Sequence, residues 1–223
     1  MNHKPESVNV SEKSIVILIS GHGSNMRALL EANLPCRVAA VISNRADAPG
    51  LEIAKQYGIT TRVVVHHDHP DRESFDTELA NCIDSYRPDL VVLAGFMRIL
   101  TAQFVARYQN KLINIHPSLL PVYSGLNTHA RALQDGVKIH GCTAHFVTSD
   151  VDQGPIIIQA AVPVLMDDTP ATLAARVLDQ EHRIFPQAIR WFCNDDISLS
   201  ADGKVLIKGL EQLGCALISP EIK

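Results

Sequence analysis

"SIVILISGHGSN" (residues 14–25) runs from β-branched apolar residues into two glycines and a Ser-Asn pair. An apolar run without alternation suits a strand buried on both faces. The glycines, followed by the helical spacing of "NMRALLEAN" (25–33), make the stretch a strand, a tight turn and a helix. The succession repeats. "CRVAAVISN" (36–44) reads as a strand and "GLEIAKQYG" (50–58) as a short helix closed by Gly58. "TTRVVV" (60–65) is strand-like, and "DRESFDTELANCIDSY" (71–86) sets Phe75, Leu79, Cys82, Ile83 and Tyr86 on one helical stripe. "DLVVLAGF" (89–96), "TAQFVARYQN" (101–110) and "KLINI" (111–115) continue as strand, helix and strand. This alternation predicts an α/β fold, a Rossmann-like, mostly parallel sheet flanked by helices on both faces.

The pattern changes in the second half. "CTAHFVT" (142–148) and "PIIIQAAVPV" (155–164) read as strands joined by the polar loop "SDVDQG", placed to pair antiparallel toward the C-terminus. A long helix is expected over 169–194, kinked at Pro186. "ISLSADGKVLI" (197–207) reads as a hairpin turning at Ala201, Asp202 and Gly203. The expected organisation is a loose leader over 1–13, one domain over 14–195 and a hairpin with a tail over 196–223. Within the domain, 14–110 is read as the phosphate-binding half and 111–195 as the catalytic half.

The 223 residues suffice for a sizeable core. Net charge is −4 and no Lys/Arg-rich block appears, which argues against general nucleic-acid or membrane-surface binding. No apolar stretch approaches the ~18 residues of a membrane span, and the polar first residues lack the apolar core of a signal peptide. Five scattered cysteines without a C-x-x-C pair read as free thiols in a reducing compartment, so a cytoplasmic protein is expected.

Ligands of such sheets bind at the carboxyl ends of the strands. "SGHGSN" (20–25) lies at one such end, where glycines and a helix N-terminus suit an anion. A plain turn capped by Ser24 or Asn25 reads equally well. At the end of the 111–115 strand, "INIHPSLLP" (113–121) places Asn114 and His116 two apart, hence on one face, before Pro117 turns the chain. A buried histidine satisfied by a backbone carbonyl is the ordinary alternative for His116. Asp152, in "DVDQG", is either a turn aspartate or a carboxylate that would hold a His116 imidazolium. His145 could face the same site as Asn114, whereas His140, before Gly141, reads as a solvated turn residue. "HHDH" (66–69) fits no structural zinc spacing, and no metal is expected.

"NIHPSLLP" together with "HGCTAHFVTSDVDQGP" resembles the folate-dependent formyltransferases, and the likeness extends over roughly residues 14 to 194. "LISGHGSN" and "VVLAGFMRIL" (91–100) are similar to the members acting on glycinamide ribonucleotide. The resemblance implies a formyltransferase fold and transfer of the formyl group of 10-formyltetrahydrofolate to the ribonucleotide amine in purine synthesis. It implies catalytic roles for Asn114, His116 and Asp152, and ribonucleotide contacts at Gly23, Ser24, Asn25 and Glu181. It implies folate contacts at Arg72, Met97, Arg98, Ile99, Leu100, Asn114, Thr148, Ser149, Asp150 and Val151. Small-molecule substrates, no nucleic acid, no membrane, and a monomer or weak homodimer complete the expectation. Asn127, Gln153, Leu178 and His22 depart from the family pattern. A formyltetrahydrofolate hydrolase shares the trio, but usually carries an extra N-terminal domain. An inactive folate-binding module is the non-enzyme alternative.

Overall fold

The computed structural model describes residues 12–209 and Ser219. The leader expected over 1–13 falls mostly outside the described residues, and Lys13 already belongs to the first strand. The tail beyond the hairpin also lies largely outside them.

Seven strands form one sheet. They are β1 (Lys13–Ile19), β2 (Cys36–Ser43), β3 (Thr61–Val63), β4 (Leu90–Leu93), β5 (Leu112–His116), β6 (Ile139–Phe146) and β7 (Ile156–Pro163). Their spatial order is β3-β2-β1-β4-β5-β6-β7. β1 to β5 run parallel, and β6 and β7 join antiparallel, as the sequence predicts. The order reverses between β1 and β4, where neighbouring crossovers leave on opposite faces and open a crevice.

β1 is buried along nearly its whole length, and its alternation feeds two cores. Ile15, Ile17 and Ile19 face one side, and Val16 and Leu18 the other. Each such enclosed side chain contributes roughly 1.5–3 kcal/mol. The first face is covered by α1 (Ser24–Glu31), α2 (Gly50–Gln56), α5 (Thr128–Gln134) and α6 (Pro170–Cys193). The second is covered by α3 (Arg72–Asp84) and α4 (Ala102–Arg107). Along α3, Phe75, Leu79 and Ile83 are buried as the stripe predicts, while Cys82 and Tyr86 are half-buried at its edge.

α6 opens with Thr169 and Thr172 in a reciprocal cap and Pro170 in the first turn, and Pro186 lies inside it. β8 (Ile197–Leu199) and β9 (Val205–Ile207) form the expected hairpin, with Gly203 at φ 78° in its turn. The four described cysteines, Cys36, Cys82, Cys142 and Cys193, are free. Among the described residues, no helix is long and apolar enough to cross a membrane.

Two expectations need correcting. His140 is not at a solvated turn. It lies within β6 and is 1% exposed. Gly141 continues the strand because a Cβ there would stand 2.0 Å from the Ala160 carbonyl oxygen, so close strand approach, not turning, requires the glycine. Neither Ser24 nor Asn25 caps α1. Its N-cap is Gly23, in the left-handed region at φ 75°, with no side-chain cap.

Candidate active site

The loop 20–25 leaves β1 at the crevice. A Cβ on Gly23 would stand 3.0 Å from Gly50 Cα, and one on Gly50 would stand 2.7 Å from Ile19 Cδ1. The Gly50 N–H donates to the Gly21 carbonyl at 3.0 Å. Glycines therefore let this loop lie against the start of α2. The uncapped first turn of α1 leaves N–H groups for an anion. Behind the loop, Asn25 Nδ2 donates to Glu181 Oε2 at 2.6 Å, both residues being buried. Asn25 Oδ1 has no partner among the described residues. Burial pushes the Glu181 carboxyl up, opposed by the Asn25 bond.

A second region is a cavity of about 580 Å³. Leu112, Asn114 and His116 alternate toward the α3/α4 face, while Ile113 and Ile115 feed the opposite core. Met97, Arg98, Ile99 and Leu100 line one wall, and Thr148, Ser149 and Val151 another. Asn114, His116 and Asp152 lie together on the cavity lining. Arg72 is exposed at the start of α3 and does not line the cavity, nor does Asp150. The lining draws on both sides of residue 110.

The antiparallel register sets Asn114 opposite His145. His145 Nδ1 lies 2.8 Å from the Phe146 carbonyl, so it carries the proton and donates. Burial lowers the His145 pKa, and the neutral ring leaves its Nε2 lone pair to accept from Asn114 Nδ2 at 3.2 Å. That bond orients the Asn114 amide on the cavity wall.

His116 Nε2 lies 2.9 Å from the Tyr123 carbonyl, the ordinary partner of a buried histidine. Its Nδ1 lies 3.4 Å from Asp152 Oδ2. Both neighbours are acceptors, so a ring protonated on both nitrogens suits the pair. Asp152 sits at φ 56°, a left-handed conformation that aspartate tolerates. Its Oδ2 accepts from Gly125 N at 2.8 Å, and its Oδ1 lies 3.9 Å from His145 Nε2. One carboxylate thus stands between two imidazoles.

Tyr123, Gly125, Asn127 and His129 come from the 122–138 segment, whose sequence shows no clear period. α5 has Thr128 and Ala132 as its buried residues, too few to print a stripe. The recurrence of four histidines over 116–145 was the available signal. His66 belongs to a single 3-10 turn and lies 2.9 Å from the Asn44 carbonyl through Nδ1.

Histidines fully or partly withdrawn from water also set an acid limit. Burial lowers His140 to about 4 and pushes His129, His145 and His182 down as well. Unfolded, each titrates at ~6.5. The folded chain then binds fewer protons, so stability is full above pH ~6.5 and declines as pH falls. For His140 the drop to about 4 corresponds to roughly 3 kcal/mol when complete. Asp76 and Glu181, both raised by burial, work with the opposite sign and offset part of the loss. Urea midpoints should be lower at acidic than at neutral pH, and His140→Phe should flatten the slope. Equal slopes in the two proteins would assign the acid sensitivity to other groups.

The fold is that of formyl-transferring enzymes of known structure, and the chain belongs to the formyl transferase family, whose model matches residues 13–189. It is 50% identical to the phosphoribosylglycinamide formyltransferase of Escherichia coli (strain K12), over 83% of this chain and 90% of that protein. The structure of glycinamide ribonucleotide transformylase 1 from Symbiobacterium toebii matches with TM-score 0.85 and 46% identity, covering 88% of this chain and 94% of that one. A formyltetrahydrofolate deformylase from Pseudomonas syringae pv. tomato str. DC3000 matches with TM-score 0.82 at 30% identity, over 89% of this chain and 66% of that one.

Proposed function

We propose that the protein transfers the formyl group of 10-formyltetrahydrofolate to the amine of glycinamide ribonucleotide in purine synthesis. The observation that carries this reading is the meeting of Asn114, His116 and Asp152 at one wall of an open cavity, beside an anion-ready loop. The 50% identity to the Escherichia coli formyltransferase supports it over the deformylase alternative at 30%.

In this reading the ribonucleotide phosphate sits at Gly23, Ser24 and Asn25, with Glu181 beneath. The folate lies along Met97 to Leu100 and Thr148 to Val151. Asp150 bounds that loop, and Arg72 waits near the exposed glutamyl end. The amine lone pair forms a bond to the formyl carbon, and the carbonyl pair moves onto oxygen. The Asn114 amide N–H and the His116 Nδ1–H serve that oxyanion. At 3.4 Å, the contact of Nδ1 with Asp152 is longer than a normal hydrogen bond, so the proton is shareable with an oxygen in the cavity. Collapse reforms C=O and expels N10 with its electron pair. N10 gains one proton and the amine loses one, with Asp152 assisting, directly or through water. Residues 14–110 and 111–195 would divide these tasks only loosely, since the cavity wall takes residues from each. The protein would work in the cytoplasm as a monomer or weak homodimer.

Loss of the formyl group from 10-formyltetrahydrofolate, followed by absorbance with and without glycinamide ribonucleotide, tests the reading. Turnover is expected only with the ribonucleotide. Turnover without it would make the protein a hydrolase. Folate binding with no turnover would make it a binding module.

A further inference from the structure

Residues 97–100 line the cavity but own little of the core. Met97 and Ile99 are 66% and 57% exposed. Such a segment needs fastening from outside if its main chain is to hold a fixed register.

Two buried side chains do this, one at each end. The Met97 N–H donates to Ser20 Oγ at 2.8 Å. The Ser20 hydroxyl in turn donates to Asn44 Oδ1 at 2.6 Å, and the Ser20 N–H donates to the Gly95 carbonyl at 3.1 Å. At the other end, the Thr101 N–H donates to Asp76 Oδ2 at 2.6 Å. Ser20, Asn44 and Asp76 are 7%, 2% and 3% exposed.

Asp76 is a costly residue in this place. It sits on the buried side of α3 beside Phe75, and its Oδ1 has no partner among the described residues. An aliphatic side chain would serve packing better, because burying a half-satisfied carboxylate is unfavourable. What the carboxylate supplies, and an aliphatic residue cannot, is a charged acceptor for the amide that closes the 97–100 segment.

We infer that Asp76 and Ser20 are positioning residues that clamp the two ends of segment 97–100, so that its main-chain groups meet the heteroaromatic ring of the formyl donor in a fixed register. The inference rests on the reading of the cavity as the donor site. Asp76 touches no substrate and acts through the Thr101 amide. Ser20 acts through the Met97 amide and ties the donor wall to the loop that follows β1.

The test is steady-state kinetics of Asp76→Ala, Asp76→Asn and Ser20→Ala with each substrate varied in turn, together with melting curves and calorimetry with folic acid. Asp76→Ala should raise KM for 10-formyltetrahydrofolate about tenfold, the loss of one charge-assisted hydrogen bond. Its KM for the ribonucleotide should stay within about a factor of two, far below the ~1.4 kcal/mol of a tenfold change. Asp76→Asn keeps an acceptor oxygen of the same reach and should restore most of the donor KM. Ser20→Ala should shift donor KM in the same direction. A lower melting temperature with both KM values unchanged would overturn the inference and leave Asp76 a plain tether between α3 and α4. Wild-type protein that fails to bind folic acid would overturn the donor-site reading and the clamp together. Wild-type binding with unaltered binding in Asp76→Ala would overturn the clamp alone.

Discussion

Asn114→Ala is expected to lower kcat by about 100-fold or more, and His116→Ala by a similar factor, with KM for either substrate little changed. The reason is where the charge develops. The Asn114 amide is held on the cavity wall by the lone pair of a neutral His145, so its donor is aimed before substrate arrives. A donor already oriented needs no reorganisation as the formyl oxygen becomes anionic. The double variant should cost little more than either single one if, as proposed, the two donors act on one oxygen. Truncating Asn114 also leaves His145 Nε2 without its donor, a stability loss of about 1 kcal/mol that melting curves would register. A folded Asn114→Ala protein within about threefold of wild-type kcat, far short of the loss expected for an oxyanion donor, would remove Asn114 from the reaction.

Gly154→Ala is expected to destabilise the protein by about 3 kcal/mol and to depress kcat as well. A Cβ on Gly154 would stand 1.8 Å from the Phe146 carbonyl oxygen and 2.8 Å from its carbon. Both are main-chain atoms at the end of β6, so no side-chain rotation relieves the overlap. The loop after β6 must swing off the strand, and Asp152 lies two residues away on that loop. Its carboxylate would then leave Gly125 N and His116 Nδ1, which it now meets at 2.8 and 3.4 Å. Urea titration and kcat at a temperature where the variant is folded are the paired measurements. A destabilised variant with wild-type kcat would show that the placement of Asp152 does not depend on this crossing.

The parts of this molecule legible from sequence are those in which one periodicity decides. β1 from Ile15 to Ile19 and β4 throughout are unbroken apolar runs, and the stripe of α3 repeats over several turns. Asn114 and His116 were legible by parity alone, because two residues apart in a strand must share a face. What escaped had no period to print. α5 is seven residues long and buries few of them. His140 was misplaced because Gly141 looks like a turn residue until the opposing strand is seen to occupy its Cβ position. Asp76 is a more instructive miss. It begins the spacing Asp76, Ala80, Ile83, which is i, i+4, i+7 on the buried side of α3. A carboxylate heading a helical apolar series is a sign that something on another element requires it. The sequence does not say which element, because the Thr101 amide lies 25 residues further on.

The Asn25–Glu181 hydrogen bond spans 156 residues. A chain made from its N-terminus can assemble the parallel strands well before Glu181 exists. Until α6 docks, the loop after β1 lacks the carboxylate behind it. In the proposed reading, competence to hold the ribonucleotide would therefore arrive late, with the docking of α6. The converse follows by mass action. A ligand held at that loop at about a hundredfold excess over its Kd adds roughly 2.7 kcal/mol to the folded state, and the docking of α6 shares in that gain. Substrate supply would then act as a brake on the turnover of the enzyme by proteases, since a chain with an occupied loop exposes its last helix less often.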